Sequence, residues 1–370
     1  MVNIFEDPAD NMSQRAGYNT RGRLAVSYDE PVGSASPAQF ADDDKPKEKA
    51  IETDAEEAHP KKLKLTLEPN RRIDGTENVL KEEPSLFFQE IPPTSAKFEY
   101  EAKAASSGRF AKELALRCVN DPALDVAFVY DAKVLGVDTD KTEGGNEKRK
   151  ITALRTNRGV ITIPDDTHIV VTAGAWTPHI LALMDLYAPV YPLKGYAMSV
   201  SAKQALSQNP KLQQHDLPSR IVCDKYMYTT RLGDEIRITS IGEFSEWNTQ
   251  PTSTVDENFR KEAKRQFPQL SNLISQATTY CGHRPYVSDG ILLLGACSDT
   301  YDKLYVSCGP GSNGWKLAMG SGEVVSRLVS GETNEQIEED LGFDANAFSP
   351  NGRVLSAPAF TKLCRARWNV

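Results

Sequence analysis

Long hydrophobic runs are absent from this 370-residue chain. No apolar stretch reaches the roughly 18–20 residues of a membrane-spanning helix, and the first residues, MVNIFEDPADNM, are too acidic for a signal or transit peptide. The cysteines form no C-x-x-C pair, so neither zinc spacing nor a disulfide framework is indicated. They are Cys118, Cys223, Cys281, Cys297, Cys308 and Cys364. These absences predict a reduced, cytoplasmic protein with no membrane span.

An excess of positive charge is absent too. The net charge of −8 argues against a nucleic-acid partner, because neutralising phosphates requires clustered Lys and Arg. No Ser-His-Asp, metal-ligand or paired-carboxylate pattern has supporting context, so the sequence assigns no catalytic side chain and no metal site. The composition, 39% hydrophobic and 25% charged, suits a globular protein, and the length suits about two domains of ~100–200 residues each.

The segment 31–69 differs in composition from the rest of the chain. Its centre, ADDDKPKEKAIETDAEEAHPKKLK, is mostly charged and has almost no aromatic or β-branched residues. Such a segment cannot bury enough apolar surface to offset its ordering entropy. We therefore predict a disordered insert or linker, with a solvated charged helix as the alternative.

Hydrophobic patterning predicts a mixture of helices and strands. Expected in the first half are a short strand at 22–28, a helix at 109–119 capped by Ser106 or Ser107, two strands within 125–138, and a hairpin turning at 157–159. The run HIVVTAGAW (168–176) predicts a strand that is buried on both faces.

Alternating strands predict an antiparallel sheet in the second half of the chain. Expected strands cover 190–200, 225–232 and 235–244, each with one solvated face. A capping-box pattern, Thr254 with Glu257, then predicts the start of a helix that carries Phe259, Ala263 and Phe267.

The stretch CGPGSNGW (308–315) contains a G-x-G-x-x-G match at 309–314. A predicted strand at 302–307 precedes it and a predicted helix at 315–329 follows, which is the context of a phosphate-binding loop. A dinucleotide-binding unit also needs a second strand and an acidic residue about 20 residues on. No apolar strand follows Val329, so this match alone is a weak signal.

Five blocks in order along the chain resemble the FAD-dependent amino-acid oxidoreductases of the D-amino-acid oxidase superfamily, and within it the D-amino-acid dehydrogenase small subunit group. They are SSGRFAKELALRC, FVYDAKVLGV, HIVVTAGAWTPHIL with APVYPLKGYAMSV, KYMYTTRLGDEIRITSIGEF, and GHRPYVSDGILLLG with LYVSCGPGSNGWKLAMGSGE and FSPNGR. The N-terminal glycine loop that holds the FAD pyrophosphate in the family has no counterpart here. The chain therefore resembles the family without its dinucleotide-binding segment, which a further segment or partner subunit would supply.

The resemblance implies a role for particular residues. Arg284 would pair with the α-carboxylate of the substrate, and His283 beside it is either a packed neighbour or a base. The substrate cavity would be lined by tyrosines that could also be structural. FAD would be contacted by two glycine-containing segments and by one strand residue, although packing alone could also explain Gly174 and Val134. The predicted substrate residues are Arg284, Tyr196, Tyr226 and Tyr228. The predicted cofactor residues are Val134, Gly174, Ala175, Gly309, Pro310, Gly311, Ser312, Asn313 and Gly314.

The implied reaction is oxidation of the CH–NH₂ group of D-amino acids or related amines. A hydride would pass from the substrate Cα to flavin N5, and the imino acid would hydrolyse to a keto acid and ammonia. The alternative is a non-catalytic remnant or partner subunit that does not retain FAD by itself.

The expected fold class is α/β, in a mixed α+β arrangement, with an incomplete FAD/NAD(P)-binding-type domain and an antiparallel-sheet substrate domain. Residues 1–75 would form a partial N-terminal segment with the charged insert. Residues 76–185 and 281–360 would form the remainder of the FAD-binding domain, and residues 186–280 the substrate-binding domain.

Overall fold

The computed structural model describes residues 17–28, 70–140, 148–297 and 300–368. The predicted insert at 31–69 lies outside the described residues. The helices are α1 (Thr76–Glu82), α2 (Ser107–Asn120), α3 (Thr177–Ala182), α4 (Ala202–Gln208), α5 (Ser253–Gln266), α6 (Ser271–Gln276), α7 (Gly314–Val329), α8 (Asn334–Leu341) and α9 (Pro358–Trp368).

The described residues also form 16 strands. They are β1 (Arg23–Ser27), β2 (Arg71–Asp74), β3 (Ser95–Glu99), β4 (Val134–Thr139), β5 (Ile151–Thr156), β6 (Gly159–Thr162), β7 (Ile169–Val171), β8 (Leu186–Tyr187), β9 (Val190–Ser201), β10 (Ile221–Cys223), β11 (Met227–Leu232), β12 (Glu235–Phe244), β13 (Tyr280–Val287), β14 (Leu293–Ala296), β15 (Leu304–Cys308) and β16 (Leu355–Ser356).

An eight-stranded sheet with the order β13-β9-β12-β11-β10-β1-β3-β2 carries the larger hydrophobic core. Alternate residues of β9, namely Tyr196, Met198 and Val200, are buried in this core, where they join Phe259 of α5 and Ile274 of α6. Because strand side chains alternate between faces, one face of the sheet packs under the helices and the other is left free of this core. We call these the core face and the open face.

A second region contains three smaller sheets. Strand β7 lies parallel to β15 in the order β14-β15-β7, β16 pairs with β8, and β4, β5 and β6 form an antiparallel meander. Helix α7 follows β15 directly and packs against β14. This region corresponds to most of the predicted FAD-binding part. The predicted substrate-binding domain, 186–280, does not contain β1, β2, β3 or most of β13, although these strands belong to the eight-stranded sheet. The domain boundaries stay a prediction.

Several local predictions are confirmed. Helix α2 is capped by Ser106, whose hydroxyl accepts a hydrogen bond from the Arg109 amide at 3.5 Å. Strands β5 and β6 form the hairpin around Asn157-Arg158-Gly159, and β9, β11 and β12 are antiparallel. In the part of the chain after Val329 that is described, α8 and a 3-10 turn follow, and no further strand joins the β7 sheet.

Three predictions are wrong in detail. Only one strand, β4, forms within 125–138. Residues 125–133 form no strand, and within them the Tyr130 carbonyl accepts a hydrogen bond from the Arg158 guanidinium. Strand β7 is not buried on both faces, since Val170 is 36% exposed. Helix α5 begins at Ser253 and not at the Thr254–Glu257 box, because Thr252 takes the cap position and its hydroxyl donates to Glu243 at 2.7 Å.

Candidate substrate and cofactor site

Arg284 lies on the open face of the eight-stranded sheet. In β13 it is paired with Leu193 of β9, one position away from the buried Lys194. Its guanidinium covers Gly195, where an added Cβ would stand only 2.7 Å from Nη2. Any larger residue than glycine at position 195 would displace the guanidinium, so Gly195 provides the space in which Arg284 lies flat on the sheet.

The guanidinium of Arg284 is anchored by one backbone group. Nη2 donates to the carbonyl of Ser240 at 3.0 Å, at the irregularity of β12 between Thr239 and Gly242. Burial lowers the pKa of Arg284 below its ordinary value. Among the described residues, no carboxylate forms an ion pair with it, so a partly desolvated cation keeps donors free. This arrangement suits a planar anion such as a carboxylate.

Strand β13, at the edge of the sheet, also contacts the glycine-rich loop. Tyr286, two residues beyond Arg284, forms a backbone bridge with Pro310. Gly309 has φ +84° and is so close to Val287 that an added Cβ would be 2.2 Å from its Cγ2. The loop and Arg284 are therefore fixed relative to each other through a single strand.

The loop leads into the N-terminus of α7. Residues Gly311–Asn313 form a 3-10 turn that contains Ser312, and α7 begins at Gly314 without a side-chain cap. Uncapped amides at a helix start carry partial positive charge and accept an electron-rich ligand. These residues can hold the ring end of a flavin through backbone groups.

The turn after β7 joins this loop from the other side. Gly174 has φ +57°, and its carbonyl accepts a hydrogen bond from the Cys308 thiol at 3.1 Å. The 3-10 turn Gly174–Trp176, which includes the buried Ala175, lies against β13. A cavity of about 280 Å³ opens between β7, β15 and α7, near the lower limit for small-molecule sites. Its lining includes Val170, Thr172, Ser307, Cys308, Pro310 and Gly314.

The residues present fit one end of FAD. Two glycine-containing turns with left-handed backbone let the main chain approach a flat ring closely, and the α7 amides face the same cavity. The sequence has a single G-x-G-x-x-G match, at 309–314. Val134 lies elsewhere, at the start of β4, where it pairs with Thr156. Its contact with adenine stays a prediction.

The three predicted tyrosines occupy different environments. Tyr228 shares the open face with Arg284. It pairs with Thr239 of β12, which pairs with Ala197 of β9, and Ala197 and the Arg284 partner Leu193 lie on the same face of β9. The Tyr228 side chain is 48% exposed. It stays a candidate for substrate contact.

Tyr196 and Tyr226 require correction. Tyr196 lies on the core face and is 1% exposed, with its hydroxyl donating to Glu243 at 2.6 Å. Tyr226 precedes β11, so strand alternation does not extend to it, and its ring packs against the main core. The hydroxyl of Tyr196 is already used and the ring of Tyr226 is tied to the core, so we do not retain them as substrate contacts.

A buried ion pair lies directly behind Arg284, on the core face. Lys194 is fully buried, and its Nζ donates to Glu243 at 2.6 Å, to Thr252 Oγ1 at 3.2 Å and to the Gln250 carbonyl at 2.9 Å. Burial alone would raise the pKa of Glu243, but hydrogen bonds from Lys194, Tyr196 and Thr252 lower it to about 2. This network ties β9 and β12 to the start of α5, beside the part of β12 that anchors Arg284.

Aromatic rings fill the junction between β13 and the turn after β7. Trp247 contacts Trp176 at 4.4 Å, His179 at 4.4 Å and His283 at 5.6 Å between ring centroids. Burial, together with the charge of Lys133, lowers the pKa of His179 to about 4. His283 is paired with Lys194 and so points away from the face that carries Arg284. Its geometry favours packing over a role as catalytic base.

Sequence reasoning missed the groups that hold Arg284 in place. Gly195, the Ser240 carbonyl and the neighbouring Tyr286 are brought to it by strand register alone. One signal was present. Gly195 interrupts the apolar pattern of PLKGYAM, and a glycine in a strand interior often marks a close approach by another group.

No helix in the described ranges combines the length and hydrophobicity that crossing a membrane requires. Within the same ranges, no group of three or more His, Cys, Asp or Glu side chains is arranged to hold a metal ion.

A glycine-containing loop between a strand and a helix start, within a mixed α/β fold, is typical of cofactor-binding proteins. A family model described as FAD dependent oxidoreductase matches residues 10–328. The chain belongs to this family of FAD-dependent enzymes, and the predicted fold class and cofactor are confirmed at that level.

Two curated proteins are similar to this chain at 27% and 31% identity. A D-amino acid dehydrogenase of Granulibacter bethesdensis is 27% identical over 260 residues, covering 70% of this chain and 56% of that protein. A D-amino acid dehydrogenase of Agrobacterium fabrum is 31% identical over 225 residues, covering 60% and 48%. The chain thus spans about half the length of these curated relatives.

Solved structures support the fold. The glycine oxidase of Geobacillus kaustophilus superposes with a TM-score of 0.63 at 18% identity, covering 92% of this chain and 78% of that one. The L-proline dehydrogenase of P. horikoshii superposes with a TM-score of 0.61 at 16% identity, with the same coverage. At these identities the similarity establishes the fold and not the substrate.

Proposed function

We propose that this chain supplies the substrate-binding sheet and the flavin-contacting loop of an FAD-dependent dehydrogenase that oxidises the CH–NH₂ group of D-amino acids. The observation that carries the proposal is Arg284. Its guanidinium is partly buried and has no carboxylate partner among the described residues. A bridge between Tyr286 and Pro310 holds it next to the 309–314 loop.

Each group has a simple part in this function. Arg284 binds the α-carboxylate with its planar fork and so orients the Cα hydrogen toward the loop. Gly174, Ala175 and the residues 309–314 hold the ring end of FAD, which when bound supplies the hydride acceptor. Tyr228 offers a hydroxyl on the same face. The D-configuration rests on the relatives named D-amino acid dehydrogenase, because the similar structures include proteins named for glycine and for L-proline.

A second candidate is a non-catalytic chain or partner subunit that does not retain FAD by itself. The observation that favours it is the single G-x-G-x-x-G match, whose helix α7 is followed in the described residues by α8 and not by a parallel strand. Such a chain would keep the carboxylate-binding face without the phosphate-binding part of the cofactor site.

Flavin absorbance separates the two candidates. The purified chain is incubated with FAD, passed through a desalting column and scanned across the flavin bands. Stoichiometric flavin supports the enzyme, and complete loss of flavin supports the second candidate. Where flavin is retained, anaerobic addition of the D- and L-forms of one amino acid, and of glycine, tests the substrate. Bleaching by the L-form alone contradicts the proposed stereochemistry.

A further inference from the structure

A second cavity lies at another end of the eight-stranded sheet. It is bounded by the segment before β1, the residue before β10, and the turn after β11, and its volume is about 640 Å³. This volume falls within the usual range for small-molecule sites. The cavity shares no residue with the Arg284 site. Arg231, which lines it, is paired with the core residue Ile236 and so belongs to the sheet face opposite to Arg284.

Three arginines line this cavity, and two of them have no counter-ion among the described residues. Arg220 forms ion pairs with Glu82 and Glu83. Arg21 and Arg231 appear in no ion pair within that part of the chain. Among the residues that line the cavity, these three arginines face a single carboxylate, that of Glu82.

Arg231 is held in place by neutral acceptors. Its Nε donates to the Gly233 carbonyl at 3.1 Å and its Nη2 to Gln214 Oε1 at 3.2 Å. A guanidinium has five N–H donors, so three remain for a ligand. Burial lowers the pKa of Arg231, and the nearby charge of Arg21 lowers it further, against the opposite effects of Asp234 and Glu83. An exposed guanidinium, that of Arg21, thus lies near the half-buried one of Arg231.

An anion placed between the two guanidinium groups would remove the repulsion between them. Phosphate and carboxylate oxygens match the guanidinium fork and accept two parallel hydrogen bonds from each arginine. We propose that this cavity binds a small anionic compound carrying phosphate or several carboxylate groups, held between Arg21 and Arg231. The site is separate from the proposed amino-acid site and does not depend on flavin.

Calorimetric titration of the full chain tests this site. Pyrophosphate and citrate are titrated separately at constant ionic strength, with sodium chloride as the reference salt. We expect saturable binding of at least one of them. Preference for pyrophosphate assigns a phosphate compound, and preference for citrate assigns a polycarboxylate. Absence of saturable heat with both anions overturns the proposal.

Variants localise the binding. Arg21→Gln and Arg231→Gln should each raise the Kd for the anion by tenfold or more. Arg231→Lys should raise it less than Arg231→Gln does. Arg72→Gln is the matched control, because Arg72 is an exposed arginine of β2 paired only with Asp74 in the described residues. Arg21 is exposed, so its variant should keep the parent Tm without anion. Equal binding by parent, Arg21→Gln and Arg231→Gln overturns the assignment.

Discussion

Arg284 depends for its position on residues far away in the chain. Gly195 leaves room for the guanidinium, and the carbonyl of Ser240 holds one of its nitrogens. Because burial already disfavours its charge, a substrate carboxylate would gain a charge-assisted pair in a partly desolvated position. The proposed role of Arg284 in substrate binding can therefore be tested by substituting this residue.

Substitution of Arg284 should impair substrate use more than folding. In flavin-loaded protein, Arg284→Ala should lower kcat/KM for D-amino acids by about 30-fold or more, since loss of a desolvated charge partner costs roughly 2–5 kcal/mol. Arg284→Lys should recover only part of this, because an ammonium lacks the bidentate fork. Steady-state kinetics with flavin content measured in parallel checks both.

Arg72→Ala serves as the control for this substitution, because Arg72 is exposed on β2. Its kcat/KM should equal that of the parent. Loss of flavin from Arg284→Ala with unchanged activity per bound flavin would show that Arg284 serves the cofactor or the fold. The candidate for the carboxylate would then be Tyr228, since Arg231 lies on the other face of the sheet.

His179 should make stability depend on pH. Its ring is 4% exposed, and burial with the charge of Lys133 lowers its pKa from about 6.5 to about 4. As the pH falls, the histidine of the unfolded chain binds a proton at a higher pH than that of the folded chain. The free energy of unfolding should therefore be unaffected above about pH 6.5 and should decrease as the pH falls toward 4. The loss should be at most about 1.4 kcal/mol per pH unit. Urea unfolding at pH 7, 6 and 5 measures it.

His179→Phe keeps a ring against Trp176 and Trp247 and removes the titrating group. Its free energy of unfolding should change less between pH 7 and 5 than that of the parent. His215→Gln is the control, because this histidine is largely exposed. Parallel pH profiles for the parent and His179→Phe would contradict the assignment.

At the scale of single elements, the 309–314 loop and α7 contain glycines of two kinds. Gly309→Ala should destabilise the protein by about 1–3 kcal/mol, because φ is +84° and the new Cβ would overlap Val287. Gly320→Ala, in the interior of α7 where a Cβ meets nothing within 4 Å, should stabilise it by up to about 1 kcal/mol. Thermal unfolding compares the two.

The double variant Gly309→Ala/Val287→Ala separates the two causes of this strain. Removing the Val287 methyl groups relieves the overlap but leaves the backbone of residue 309 in the left-handed region. Gly309→Ala should therefore cost less stability in the Val287→Ala background than in the parent, but the cost should not vanish. If Gly309→Ala and Gly320→Ala shift Tm in the same direction and by the same amount, the loop does not pack closely on β13 at Gly309.

The Lys194–Glu243 pair should behave as a buried ion pair in a double-mutant cycle. Lys194→Met leaves the Glu243 carboxylate, whose side chain is 24% exposed, without its cation, so the cost should fall below the roughly 3–5 kcal/mol of a fully buried pair. Lys194→Met/Glu243→Gln should cost clearly less than Lys194→Met alone, because no uncompensated charge remains. Urea unfolding of the four proteins gives the coupling energy, and additive costs would contradict it.

Elements governed by local chemistry could be predicted from the sequence. The cap at Ser106 and the hairpin at 157–159 need only neighbouring residues, and both are confirmed. The start of α5 could not be predicted, because Thr252 is selected by its hydrogen bond to Glu243 in another strand. The same applies to Gly195 and Ser240, which reach Arg284 only through the register of β9, β12 and β13.

At the scale of the whole molecule, β1 connects two parts of the large sheet. It pairs in parallel with β10 on one side and antiparallel with β3 on the other. The family resemblance rests on blocks between residues 106 and 353, and nothing in RGRLAVS alone shows that this strand lies between β10 and β3. Its neighbours in the sheet lie more than 60 residues away in the sequence, and only the folded chain brings them together.

Removal of β1 should therefore affect the whole fold, whereas removal of α9 should not. A chain that begins at residue 70 loses Leu24 and Val26 from the core and exposes the edges of β3 and β10, so we expect it to aggregate or to lack a cooperative unfolding transition. A chain that ends at residue 357 loses only α9, where Phe360 is 48% and Leu363 is 70% exposed, and it should still unfold cooperatively with a lower Tm. Calorimetry and light scattering on both deletions check this. Cooperative unfolding of the first deletion near the Tm of the parent would show that β2 and β3 do not depend on β1 for their place in the sheet.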